Sequence, residues 1–236
     1  MLELMTRIGA TTSVLDVVNL CGDEFDKYGA HIRSYHYVDR FSSQVGKSAV
    51  VMESGFPSEW MALYRRSAFR ANDPIPDFIM KKGKAMSWQA ALAAQQLTPA
   101  QQDFARQMAD HGLVHGVSYA VFGPHGSEAY ASFSFGREFT SEDIPVIRLL
   151  VTVAQAGHRR IAALTDKLIT PPKLSSRELE VLNWLVRGKS SRDIATIIDR
   201  SPATVETFIK RLYAKLEVHD RAGAIIVALR MGMVKL

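Results

Sequence analysis

Cysteine is nearly absent: Cys21 is the only one in 236 residues. One thiol cannot close an internal disulfide, so the chain must hold itself together by burial, and a reducing cytoplasm is the simplest setting. Long apolar runs are missing as well. No stretch of about 18 apolar residues occurs, so no membrane span and no membrane partner are expected. The opening Met-Leu-Glu-Leu-Met-Thr-Arg lacks a basic segment followed by a long apolar one, and no signal peptide is expected. There is no internal repeat and no low-complexity tract. Catalytic spacing is also scarce. His31 with His36, and His111 with His115, are the only close histidine pairs, and Gly112 interrupts the second. Hydrolysis would need a metal cluster or an activated nucleophile. Neither is visible, so no catalytic residue, no metal and no cofactor is assigned.

What is present supports real cores, with 47% of residues apolar. The net charge of +5 is unevenly placed. From Leu174 onward there are 11 Lys and Arg against 7 Asp and Glu, and before it 18 against 17. A positive last quarter is drawn to phosphate, without sequence preference.

Taken in order, residues 2–8 and 14–28 read as helices, the second turning Leu15, Val18, Leu20 and Phe25 toward a core. Residues 31–38 alternate as a strand, residues 48–53 read as its antiparallel neighbour, and residues 39–47 are polar and turn-like. Residues 57–69 return to helix. Asp73-Pro74 opens a further short helix, with Asp as cap and Pro inside it. Met86-Ser87-Trp88 is a short extended piece, and Thr98-Pro99 starts a helix reaching Gly112. Residues 117–122 and 129–135 are alternating strands joined by Gly123-Pro124-His125-Gly126. Thr140 caps a long helix over residues 144–164. Helices must cover both faces of a mostly antiparallel sheet, which makes the first domain an α+β sandwich, α-β-α in layers. Pro171-Pro172 cannot continue a helix and marks residues 165–173 as a linker. The expected division is residues 1–164, the linker, and residues 174–236.

The last stretch reads as four helices. The first covers residues 176–187, with Leu179, Val181, Leu182, Leu185 and Val186 apolar and Gly188 placed for a left-handed cap. A short second helix turns Ile194, Ala195, Ile197 and Ile198 inward. Ser201-Pro202 restarts the chain as N-cap and first helical residue. In the third helix Val205, Phe208, Ile209, Leu212 and Leu216 form one stripe, while Thr204, Glu206, Thr207, Lys210, Arg211 and Lys215 occupy the other face. Asp220 opens the fourth. Helix, tight turn, helix with a polar and basic face is the geometry of a DNA reader; a solvated four-helix bundle fits the spacing about equally well.

The stretch closely resembles the helix-turn-helix DNA-binding domain of the LuxR family of transcription regulators. Glu178, Leu182, Gly188-Lys189-Ser190, Ile194-Ala195, Thr204-Val205 and Lys215-Leu216 carry the likeness. It implies an all-α domain that contacts promoter DNA through Lys189, Ser191, Thr204, Glu206, Thr207, Lys210 and Arg211. The first domain resembles the autoinducer-binding domain of the same family in its Trp60, Tyr64, Asp73-Pro74, Trp88 and Gly116. Singly, those residues would pass for core and a helix cap. The resemblance implies an N-acyl homoserine lactone ligand. Trp60 would donate to the lactone carbonyl, Asp73 would accept from the amide N–H, and Ser132 would approach the acyl carbonyl. Tyr64, Trp88 and Phe56 would line the pocket, shaped by Gly116. Two positions depart from the pattern: Phe56 stands where the family usually has Tyr, removing one hydroxyl, and Ala120 stands where Pro would follow Gly116.

The resulting reading is a cytoplasmic quorum-sensing regulator, not an enzyme. It binds the lactone and promoter DNA as a homodimer, since one recognition helix reads only a half-site. RNA polymerase is a further candidate partner. The alternatives are a phosphorylation-controlled response regulator or a ligand-independent regulator with the same DNA-binding domain, and, ranked last, a lactone-processing enzyme. A response regulator would need alternating βα units, which the order of elements does not offer.

Overall fold

The computed structural model describes residues 1–37, 50–124, 127–166 and 171–234. The chain forms two compact units, Met1–Leu164 and Thr165–Leu236. The expected turn at residues 39–47 lies outside the described residues.

The first unit is built on five strands: β1 (Ile32–Tyr37), β2 (Val50–Ser54), β3 (Met86–Ser87), β4 (Val117–Phe122) and β5 (Glu128–Ser134). Their order is β2-β1-β5-β4-β3. Every pairing is antiparallel, with Ser34 opposite Ser132 and Ser118 opposite Ser132 from the other side. Side chains alternate between faces of a strand, and here the alternation separates two cores. Tyr35, Tyr37, Val117, Tyr119, Val121, Ala129, Ala131 and Phe133 pack with α1 (Leu2–Ala10), α2 (Val14–Lys27) and α8 (Ile144–Asp166). On the opposite face Ile32 and Tyr130 join a core supplied by α3 (Ser58–Tyr64), α4 (Ser67–Arg70), α5 (Ile75–Lys82), α6 (Trp88–Ala93) and α7 (Pro99–Asp110). The unit is therefore a three-layer α-β-α sandwich.

Several expectations change. The helix foreseen over residues 57–69 is two helices, interrupted at Arg65 and Arg66. Trp88 belongs to helix α6, capped by Ser87, whose Oγ accepts from the Ala90 N–H. Helix α8 continues to Asp166, two residues into the expected linker. Leu15 is 66% exposed: the inward stripe of α2 runs through Val17 and Phe25, and a helix places Leu15 about 200° from Val17.

The second unit has α9 (Ser176–Val186), α10 (Ser191–Ile197), α11 (Pro202–Leu216) and α12 (Arg221–Arg230) around one core of Val181, Leu182, Leu185, Ile194, Val205, Leu212 and their neighbours. The starts of all four are fixed by side chains. Ser175, Ser190, Ser201 and Asp220 each accept from a first-turn backbone N–H, satisfying donors that a helix leaves orphaned. Two inward assignments fail: Ile197 is 43% and Leu179 37% exposed, because each sits one residue off its helix's buried row.

Candidate ligand site and DNA-facing surface

The structure gathers Phe56, Trp60, Tyr64, Asp73, Trp88 and Ser132 around one cavity of about 40 Å³. They arrive from the loop before α3, α3 itself, the loop before α5, the start of α6 and β5. Tyr64 lies one turn after Trp60, and their rings stack at 5.8 Å between centroids. Phe69 and Phe104 close on the Trp60 ring from other sides at 5.7 and 5.4 Å. Gly116 is required by Trp88: an added Cβ would stand 2.2 Å from the indole ring.

Asp73 is the electrostatic centre. Its Oδ2 accepts from the Tyr64 hydroxyl at 2.9 Å, and its Oδ1 accepts from the Ile75 N–H at 3.0 Å. It thus caps α5 from one residue further out than expected, with Pro74 at the capping position and Pro76 inside the first turn. Burial pushes its carboxyl up to about 6, against which the two hydrogen bonds pull down. No Lys, Arg or His pairs with it among the described residues. The Trp60 indole N–H likewise has no hydrogen-bond partner among them. The site therefore presents an acceptor with spare lone pairs and an unused donor to one small space.

Residues not foreseen complete it. Trp88 Nε1 donates to Ser118 Oγ at 3.0 Å, and Ser118 Oγ lies 2.7 Å from Tyr130 Oη. Tyr130 shares β5 with Ser132, which sits 2.9 Å from Ser34 Oγ. A row of hydroxyls thus crosses β4, β5 and β1. His36 packs edge-on against Tyr64 and Tyr130 at 6.4 and 5.6 Å, and burial lowers its pKa to about 4, so it is neutral. Alternation in β1 and β5 carried a signal for these residues: Ser34, His36, Tyr130 and Ser132 are all even-numbered, on the face opposite Tyr35 and Ala131.

The histidine pairs do not converge on a metal. His31 contacts Asp26 at 3.0 Å and His111 contacts the Gln107 carbonyl at 2.7 Å. Among the described residues no group of three or more His, Cys, Asp or Glu could hold a metal ion. Burial pushes the Cys21 thiol up to about 12, which suppresses the thiolate a nucleophile needs.

In the second unit the turn between α10 and α11 is set by Asp199, held left-handed at φ 52°, with the Arg200 N–H returning to the Ala195 carbonyl at 2.9 Å. This is the closure that usually takes Gly; Asp tolerates it. Of the foreseen DNA-facing residues, Lys189, Glu206, Thr207, Lys210 and Arg211 are exposed, and Ser191 and Thr204 are half-buried. Glu206, Lys210 and Arg211 make no ion pair among the described residues. Arg192 and Arg200, not singled out from the sequence, are also exposed. Lys215 is exposed, as its face predicts, but is not free. Its Nζ donates to Glu178 Oε2 at 2.6 Å and to the Lys173 carbonyl at 3.2 Å. Glu178 also accepts from the Ser175 N–H at 2.7 Å, closing a capping box. The Lys215 contact holds its carboxyl below the usual range.

Comparison with known proteins agrees with this geometry. Residues 13–161 match the family described as "Autoinducer binding domain", and residues 172–228 match "Bacterial regulatory proteins, luxR family". The chain is 26% identical to the HTH-type quorum sensing-dependent transcriptional regulator RpaR of Rhodopseudomonas palustris, over 83% of this chain and 79% of that one. It is 25% identical to the regulatory protein SdiA of Escherichia coli, over 78% and 77%. A crystal structure of Escherichia coli SdiA aligns with a TM-score of 0.73 at 20% identity, covering 99% of this chain and 97% of that one. No helix among the described residues is long and apolar enough to cross a membrane. The autoinducer-type sandwich, followed in the same chain by a helix-turn-helix unit, makes this protein a member of the LuxR family of quorum-sensing transcription regulators.

Proposed function

We propose that the ligand is an N-acyl homoserine lactone bound beside Asp73, and that two copies of the chain together read promoter DNA through α11, in the cytoplasm. The observation that carries the ligand reading is the unpaired carboxylate and unused indole N–H meeting in one cavity. The amide N–H of such a lactone would donate to Asp73, and the lactone carbonyl would accept from Trp60. The acyl carbonyl would meet Ser132, since Phe56 offers no hydroxyl. A cavity of about 40 Å³ has room for only a few waters, so the walls must part to admit a ligand.

Analogues in which an ester oxygen replaces the amide N–H test the pose. The ester should bind about tenfold or more weakly than the amide, the worth of a hydrogen bond to a charged acceptor. Equal binding would rule out the contact with Asp73. For the DNA face, Lys210→Ala should weaken binding to all sequences and flatten its salt dependence. Glu206→Ala should alter preference at one base pair by about 1–3 kcal/mol if the carboxylate accepts from a cytosine amino group. A randomised half-site with unchanged preference would reduce Glu206 to a solvated charge. Sedimentation of the lactone-bound protein, with and without operator DNA, tests the dimer.

A further inference from the structure

A second and much larger cavity, about 600 Å³, lies on the other face of the sheet, between the strands and helices α2 and α8. Its size falls in the range of small-molecule sites, while the space beside Asp73 does not reach it. Val17, Val18, Phe25, Ala131, Ala154 and Ile161 give it apolar walls. Gly157 lets α8 come against α2 here: an added Cβ would meet the Cys21 sulfur at 2.6 Å.

Its buried polar groups are few and almost all occupied, while Asn19, Asp23, Glu53 and Ser54 lie exposed at the rim. Tyr35 Oη lies 2.8 Å from His158 Nδ1, and His158 Nε2 lies 2.8 Å from the Ser127 carbonyl. A carbonyl only accepts, so His158 carries its proton on Nε2, and Nδ1 accepts from Tyr35. Burial lowers the His158 pKa, so the ring stays neutral. Arg33, at the rim, is already held by Asp26 at 2.5 and 3.1 Å. The exception is Tyr119. It is 2% exposed, it lines the cavity, and its hydroxyl has no hydrogen-bond partner among the described residues. No side-chain N or O atom of the described residues is both fully buried and without a partner, so this hydroxyl opens onto the cavity, where a bound acceptor can reach it.

We infer that this cavity is a second ligand site, for a neutral, mainly apolar small molecule whose carbonyl or hydroxyl oxygen accepts from Tyr119. An anion is disfavoured: the one rim cation is paired, and Asp23 and Glu53 also border the space. Ser34, Glu53 and Ser132 border both cavities, so an occupant of either touches strands that shape the other. The inference does not rest on the lactone reading.

Prodan, a neutral naphthalene ketone whose emission reports hydrogen bonding to its carbonyl, is a suitable probe. Titrated into full-length protein without lactone, it should bind one molecule per chain. Tyr119→Phe should weaken binding about three- to tenfold, as loss of one hydrogen bond does, and shift the bound emission to the blue. Ala131→Phe, which fills the space, should weaken it about tenfold or more. Asp73→Asn, across the sheet, should leave it unchanged. No saturable binding up to the probe's solubility limit would overturn the assignment. So would binding that Asp73→Asn abolishes and Tyr119→Phe does not, which would place prodan on the other face. If Ala131→Phe does not fold, the Tyr119→Phe and Asp73→Asn pair still decides.

Discussion

Asp73 and Glu178 are both carboxylates drawn into protein, one in each unit, and they sit at opposite electrostatic extremes. Glu178 has a lysine at 2.6 Å and a backbone N–H at 2.7 Å, and its pKa falls. Asp73 has only a phenol and one backbone N–H, and its pKa rises to about 6. Burial disfavours a charge unless an opposite charge or enough donors answer it. Glu178 is answered from within the chain and serves the fold, tying α9 to α11. Asp73 is answered only in part, and the missing donor is what a ligand can bring.

The largest effect expected from this contrast is on ligand response. Asp73→Ala removes a charge-assisted bond worth about 1.5–3 kcal/mol, roughly 10- to 150-fold in affinity. The lactone dose-response should shift by at least tenfold while the purified variant keeps its circular dichroism. A shift below threefold would move Asp73 into the same structural class as Glu178.

Glu178→Gln should show the reverse pattern. Losing the ion pair should destabilise the second unit by about 1–3 kcal/mol, read as faster amide exchange in α9 and α11 of the full chain, with lactone affinity unchanged. Protection equal to wild type would mean that the Lys215 contact adds nothing to the fold.

A further difference lies in pH. A carboxyl with a raised folded pKa contributes stability below its unfolded value, near 3.8, that is lost as pH rises through about 6. Glu178, with a depressed pKa, contributes stability at higher pH that is lost on acidification. If the lactone binds only the ionised form of Asp73, its affinity should rise about tenfold from pH 5 to pH 7. Asp73→Asn should flatten that profile, as followed by calorimetry. A wild-type profile that is already flat would mean the ligand's amide N–H is bound elsewhere.

The smallest expected effect is at Phe56. Phe56→Tyr adds a hydroxyl beside the acyl end of the site, and lactone affinity should rise by about 0.5–1.5 kcal/mol. A clear loss at equal folding yield would show the new hydroxyl buried without a partner, and the acyl carbonyl placed elsewhere.

Legibility in the sequence followed distance along the chain. The Ser201 cap, the Gly188 stop and the Thr98 cap are contacts within three or four residues and were readable from spacing; the Ser175 and Ser190 caps are as local but were not singled out. The break at Arg65 and the exposure of Leu15 and Ile197 were not, because they depend on which face a neighbouring layer covers. The same holds for the site. Trp60, Tyr64 and Asp73 lie close in sequence and were found through family resemblance, whereas Ser34, His36 and Tyr130 reach the cavity only through strand register. Ser34 and Ser132 are hydrogen-bonded across 98 residues of chain. The ion pair of Lys215 was not foreseen for the same reason, its partner Glu178 lying 37 residues away.

The tightness of the aromatic cluster around Trp60 also bears on time. A narrow site walled by aromatic rings, Tyr64 stacked on Trp60 with Phe69 and Phe104 edge-on, would not trade ligand with solvent at the rate of encounter. Capture and escape both wait for the walls to open, so their speed is set by that opening and changes little with ligand concentration once it limits. A ligand held in this way would leave at the pace of that opening rather than at the pace of dilution.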